Sequence, residues 1–205
     1  MKRSSVTVIK VGGSLFDWPE LARRLTEMID ARQAADGEER LVLIAGGGPA
    51  ANMVRALDRV HSLGDQTAHR LALHAMDLTA IILAELLRGT VVVQSLDTLR
   101  AVCSSGSIPI VAPRLILDEI ERSGKDCLPA SWDVTSDTIA AWMALHIGAD
   151  RLILLKSAPL PVGTTRLEAA RLGLVDPMLP IVARPLPRVE YLNLREHACQ
   201  PRLLP

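Results

Sequence analysis

Six short runs of β-branched and aliphatic residues recur along this chain: VTVIKV at 6–11, LVLIAG at 41–46, TVVVQS at 90–95, IPIVAP at 108–113, RLILLK at 151–156 and RVEYLNL at 188–194. They constrain the fold more than any other feature, because most are apolar at successive positions instead of alternate ones. A strand with two apolar faces needs cover on both, which places it in a parallel sheet with helices above and below. Longer helical patterns separate the runs, so the expected fold class is α/β, a three-layer α/β/α sandwich around a mainly parallel sheet. The chain has 205 residues, 49% of them apolar, which suits one large core and a single domain over 1–205. Phe16, Trp18, Trp132, Trp142 and Tyr191 are the only aromatic residues, so that core must be built from Leu, Ile, Val and Ala.

Helices are expected at 17–35, 49–62, 66–88, 96–104, 136–148 and 165–174. Within 66–88, Leu71, Ala75, Leu78 and Ile82 follow the three-to-four-residue spacing of a buried helical stripe. Residues 122–131 read as a loop or small hairpin. From Pro159 onward the prolines multiply, and the last fifth should be mostly turns with one short helix and one strand. The 23 basic and 23 acidic residues are scattered and balanced, so a nucleic-acid or membrane-surface binder is not expected; the partner is a small molecule or another copy of the chain. With no apolar run of about 18 residues and no leader-like core, a soluble cytoplasmic protein is expected. Cys103, Cys127 and Cys199 lie far apart, without a CxxC pair or a histidine at ligand spacing, and read as small hydrophobes instead of disulfide or zinc ligands.

Three motifs stand at strand ends. In KVGGS, Lys10 stands inside a buried run, and an unpaired buried ammonium costs several kcal/mol unless it finds an anion. Gly12, Gly13 and Ser14 then turn toward a helix, where outward-pointing N–H groups and the helix dipole would favour an anion. In LVLIAGGGP, packing does not explain three consecutive glycines; Gly46, Gly47 and Gly48 read as a second cradle that a ligand approaches closely, with Pro49 opening the next helix. In SWDVTSDTIAA, Thr135 or Ser136 can cap a helix with Asp137 in its first turn. A cap alone accounts for this segment, but beside two glycine cradles Asp137 is also placed to face Lys10 and hold lysines toward a phosphoryl group.

Lysine in KVGGS, the GGGP loop one strand later and a TSD helix leading into GADRLILL together resemble the amino acid kinase family, which includes acetylglutamate, aspartate, uridylate and isopentenyl phosphate kinases. The likeness runs from residue 6 to about 158. Within the family, HAMDLTAIILAELL and LPASWDVTSDTIAAW are most similar to the small kinases of methanofuran-type cofactor synthesis, which implies an aminomethylfuran-methanol phosphate acceptor. The resemblance implies the amino acid kinase (carbamate kinase-like) fold and direct in-line transfer from ATP, with Mg2+ on the nucleotide phosphates. It also implies that Lys10 stabilises the moving phosphoryl group, that Gly12, Gly13 and Ser14 line the phosphate site, that Gly46, Gly47 and Gly48 hold the acceptor, and that Asp137 organises the lysines. A dimer or larger assembly through the helix near 66–88 is implied as well.

The end of the chain departs from the family pattern. Members usually continue the LILL strand with Thr or Ser and Asp, then carry a glycine-rich segment with a second lysine for the nucleotide. Here the strand runs into Lys156, Ser157, Ala158 and Pro159, so the nucleotide part is shortened. Lys156 either takes over the second lysine's role or is a surface residue at a strand end. On the acceptor side His69 and His74 lie in the long helix, five residues apart and so on different faces, and His74 is a candidate substrate contact. Asp77 or Asp133 is a candidate partner for a substrate amine, Trp132 a candidate surface for a flat ring, and Met76 reads as core. The competing class is a non-catalytic nucleotide- or oxyanion-binding protein of the same fold, a subunit of an assembly.

Overall fold

A computed structural model describes residues 4–124, 127–196 and 200–205; Cys199 lies outside them. The six β-branched runs are strands β1 (Val6–Val11), β2 (Arg40–Ala45), β3 (Thr90–Val93), β4 (Ile108–Val111), β5 (Arg151–Lys156) and β6 (Val189–Asn193), and a two-residue β7 (Arg202–Leu203) closes the edge. The sheet order is β3-β4-β2-β1-β5-β6-β7; every pairing is parallel except β6 with β7. Between the strands lie α1 (Leu21–Ala35), α2 (Gly48–His61), α3 (Asp65–Leu86), α4 (Leu96–Ser105), α5 (Pro113–Arg122), α6 (Ser136–His146), α7 (Arg166–Arg171) and α8 (Leu179–Val182).

Successive residues of β1 and β5 enter opposite layers, as the two-residue strand period requires. Val8, Leu152 and Leu154 pack with Ile139 and Met143 of α6, while Ile9, Ile153 and Leu155 pack with Leu25 of α1 and Leu83 of α3. Both faces are therefore covered, and the three-layer architecture stands.

Local details differ from the sequence expectation. The first helix does not begin at 17: β1 runs into a 3₁₀ turn at Gly13–Leu15, and α1 starts only after Pro19. Helix α5 has no counterpart in the expected helices, because Pro113 reads as the end of IPIVAP; in the fold it opens a helix whose Ile116, Leu117 and Ile120 are buried. The tail holds one helix and one strand more than expected, α8 and β7, each too short to show a period. Along α3 only Ala75 of the expected stripe is buried. Leu71, Leu78 and Ile82 are exposed, and the core face is instead Leu73, Met76, Ala80 and Leu83. The helix carries two apolar faces, so periodicity alone cannot tell which one packs inward.

Candidate active site

Lys10 and Lys156 meet because of strand register. Lys10 is paired with Leu154 on the neighbouring parallel strand, and Lys156 lies two residues farther along β5, so both side chains rise on the face covered by α6. There Asp137, in the first turn of α6, receives both. Lys10 Nζ lies 2.7 Å from Oδ1, and Lys156 Nζ donates to Oδ2 at 2.5 Å. Lys10 and Asp137 are 3% and 2% exposed. Burial by itself would raise the Asp137 pKa, yet the ammonium groups of Lys10 and Lys156 hold it down at about 2. Lys156 is pulled below the ordinary lysine range by burial, with Asp137 opposing and Lys10 reinforcing the shift. The result is a concentration of positive charge suited to a phosphoryl group, organised by one carboxylate at the carboxyl end of the central strands.

Helix α6 is not capped by Thr135 or Ser136, as its sequence suggests. The cap is Asp176, in the loop between α7 and α8. Its Oδ2 accepts from the amides of Thr135, Asp137 and Thr138 at 3.1, 2.9 and 2.9 Å, and its Oδ1 accepts from the Thr135 hydroxyl. Burial and the nearby Asp137 push the Asp176 pKa up, while Lys10 and the Thr135 and Thr138 hydrogen bonds oppose the shift. No sequence signal points to this residue, since it comes 39 positions after Asp137 in an aperiodic loop.

The two glycine loops touch each other, and that contact corrects the expectation that packing does not explain the glycines of GGGP. A Cβ on Gly13 would fall 2.6 Å from Gly48 N, and one on Gly46 would fall 2.8 Å from Gly13 N. Gly12 is pinned by its amide to Leu155 O at 2.9 Å, with a Cβ position 2.6 Å from the same oxygen. Packing of backbone against backbone therefore requires these glycines; only Gly48, at φ +54°, needs the left-handed region. Ser14 is exposed, and its hydroxyl is hydrogen-bonded to that of Ser157 at 2.7 Å across the β1 and β5 ends.

Gly13, Gly47 and Gly48 open onto a cavity of about 140 Å³ between α2, α3 and the segment leading into α6. Lys10, Asp137 and Lys156 do not line it, but Ser136 does, one residue from Asp137. Trp132 forms part of its wall, fixed by its indole N–H donating to Asp58 Oδ2 at 2.8 Å and by Arg55, whose Cζ lies 4.5 Å above the ring. Asn52 and Arg55 face this cavity and are absent from the sequence-derived candidates; their places one and two turns past GGGP on a helix are the clue that could have found them. Arg55 has no ion pair among the described residues. His69 lines the cavity, and burial lowers its pKa. His74 sits on the exposed face of α3, outside the cavity. Asp77 is taken by Arg114 at 3.2 Å, Asp133 is exposed, and Met76 is core.

A family model described as the amino acid kinase family matches residues 5–159. The chain belongs to the amino acid kinase family. It is 28% identical over 151 residues to the [5-(aminomethyl)furan-3-yl]methyl phosphate kinase of Methanocaldococcus jannaschii, an alignment covering 72% of this chain and 63% of that relative's length. Among solved structures, the UMP kinase from Ureaplasma parvum superposes with a TM-score of 0.68 at 13% identity, over 96% of this chain and 93% of that one. The uridylate kinase from Archaeoglobus fulgidus gives 0.63 at 15% identity, over 90% and 89%. At such identities the structural likeness establishes the amino acid kinase fold. Among the described residues no helix is long and apolar enough to cross a membrane.

Proposed function

We propose that the protein is an ATP-dependent small-molecule kinase that transfers a phosphoryl group in line to a phosphate or carboxylate, with an aminomethylfuran-methanol phosphate as first candidate. The observation that carries this reading is the convergence of Lys10 and Lys156 on Asp137 beside two interlocked glycine loops. In the transfer, an acceptor oxygen bonds to the γ-phosphorus as the bond to the bridging β,γ-oxygen breaks, and ADP leaves. The two ammonium groups neutralise charge on the equatorial oxygens, and the chain forms no covalent bond to the phosphoryl group. Asp137 is unsuited to act as a general base, because both its oxygens are engaged by lysines and its pKa is about 2. A phosphate or carboxylate acceptor, ionised at neutral pH, needs no base; an alcohol would. Arg55, with no ion pair among the described residues, supplies a cation for the acceptor's own charge, and Trp132 a flat wall for its ring. The name of the Methanocaldococcus relative supports the furan phosphate.

Asp137 and Asp176 are engaged by the lysines and by the α6 amides. Magnesium would neutralise charge on the ATP phosphates when the nucleotide binds. The described residues are read as one amino acid kinase-like domain. The exposed apolar face of α2 and α3, with Met53, Leu57, Leu78, Ile81 and Ile82, is the surface for a homodimer or larger assembly. Light scattering at micromolar concentration should give at least twice the chain mass, and a monomer would rule out this interface.

The decisive assay measures ADP release with the furan phosphate, simple phosphomonoesters and carboxylates. Turnover that vanishes in Lys10→Ala supports the kinase; no turnover above background with any acceptor defeats it. The second reading, a non-catalytic oxyanion-binding subunit, is favoured by Lys156, Ser157, Ala158 and Pro159, which stand where family members usually carry Thr or Ser and Asp. It predicts a thermal shift with inorganic phosphate but none with ATP and magnesium.

A further inference from the structure

Asp176 has a second connection to the site besides its carboxylate. Its own amide donates to Asp137 Oδ2 at 3.3 Å, the same oxygen that receives Lys156. Each aspartate thus holds the other: the Asp176 carboxylate takes the Asp137 amide, and the Asp137 carboxylate takes the Asp176 amide. One residue fixes the first turn of α6 and the carboxylate that projects from that turn. The amides of Thr135, Asp137 and Thr138 at the start of α6, which would otherwise be open to an anion, are taken by Asp176.

We infer that Asp176 is a positioning residue for phosphoryl transfer, which ties the segment beyond residue 159 into the site by holding Asp137 between Lys10 and Lys156. This role rests on the kinase activity proposed above. It gives the segment beyond residue 159 a task in the reaction: the segment supplies a carboxylate that braces the lysine organiser from behind. Misplacing a charge-organising group by about 1 Å costs on the order of 10²-fold in rate. Charge counts as well as shape. The groups facing Lys156 are Asp137 from α6, Lys10 from β1 and Asp176 from the α7–α8 loop, with the Tyr191 phenol of β6 donating nearby to Ala158 O. The negative charge of Asp176 helps Lys156 stay protonated.

The test compares wild type with Asp176→Ala and Asp176→Asn in steady-state assays across pH. Asp176→Ala should lose roughly 10²-fold in kcat with acceptor KM changed less than about threefold. Asp176→Asn keeps the shape and an accepting oxygen, so it should fold and recover part of kcat, while its alkaline limb moves to lower pH because Lys156 loses a supporting charge. An unchanged alkaline limb in a folded Asp176→Asn, with kcat within twofold of wild type, overturns the inference. Should wild type itself turn over no acceptor, the kinase activity fails separately, and NMR titration of the Lys156 side-chain ammonium in wild type and Asp176→Asn decides the placement. A lower pKa in the variant supports the bracing contact, and an unchanged one removes it.

Discussion

Residues 5–159 and 160–205 are held together in part by different means. The first region is layered: central strands buried on both faces, covered by helices whose contacts are aliphatic. The second extends the same sheet with β6, buries Leu179, Ala183, Val189 and Leu192 in the same two cores, and adds polar clamps around its short helices. Arg166 donates to Leu204 O and Ala183 O, both at 2.8 Å, Arg202 reaches Leu160 O at 2.5 Å, and Thr165 and Glu168 form a capping box at the start of α7. The family match ends at residue 159, although the sheet continues into β6. Yet both regions converge on Asp137, with Lys10 and Lys156 from one side and Asp176 from the other. A segment too small for a layer of its own can still be built into a site by a few directed hydrogen bonds.

The largest expected effect tests whether the two lysines are equivalent. Lys10→Ala and Lys156→Ala should each reduce kcat by on the order of 10²–10³, the usual cost of removing one preorganised charge-stabilising donor. If Lys156→Ala stays within twofold while Lys10→Ala is dead, Lys156 is a strand-end residue and catalysis belongs to the β1 side alone.

Stability should depend on the same cluster. Asp137→Asn leaves two buried ammonium groups facing each other and should destabilise the fold by about 3–5 kcal/mol in chemical denaturation at neutral pH. Its pH dependence has a definite sign. The folded carboxyl titrates at about 2, below the ordinary 3.8, so its stabilisation is complete above the ordinary value and is lost as pH falls through about 2. Wild type should therefore weaken across that acid interval by about 2 kcal/mol from this group, and Asp137→Asn should lack that component. Equal acid slopes in the two proteins would show that Asp137 is not held by the lysines.

Smaller effects separate the regions. Gly13→Ala forces a Cβ to 2.6 Å from Gly48 N and should cost about 1–3 kcal/mol, together with a raised acceptor KM as the two loops part. Arg166→Ala removes two carbonyl contacts in the tail and should cost about 1–3 kcal/mol with acceptor KM unchanged. Amide exchange should then show opening confined to the tail; opening that spreads into β1 and β2 would mean the regions are not separately held.

Much of the layered region is legible in the sequence because burial writes itself into composition. Strands apolar on both faces announce a covered parallel sheet, and Lys10 stands out because a charge contradicts its surroundings there. The glycines are visible, although their reason is not, since close backbone contact between two loops distant in sequence leaves no local trace. Helix α3 shows the limit of periodicity: its pattern has two apolar faces, and the choice between them depends on what packs against it.

By itself, the sequence determined the α/β class, the strand order of appearance and the family, and it marked Lys10 and Asp137 as candidates, since each comes from local pattern or from a charge out of place. Only the tertiary structure decided that Lys156 belongs with Lys10, because that depends on the register of β1 against β5. It likewise decided that Asp176 closes the α6 terminus and that His69, not His74, faces the cavity. Hydrogen bonds and ion pairs between segments dozens of residues apart carry no periodic signature, so their partners are fixed only when the sheet brings them together.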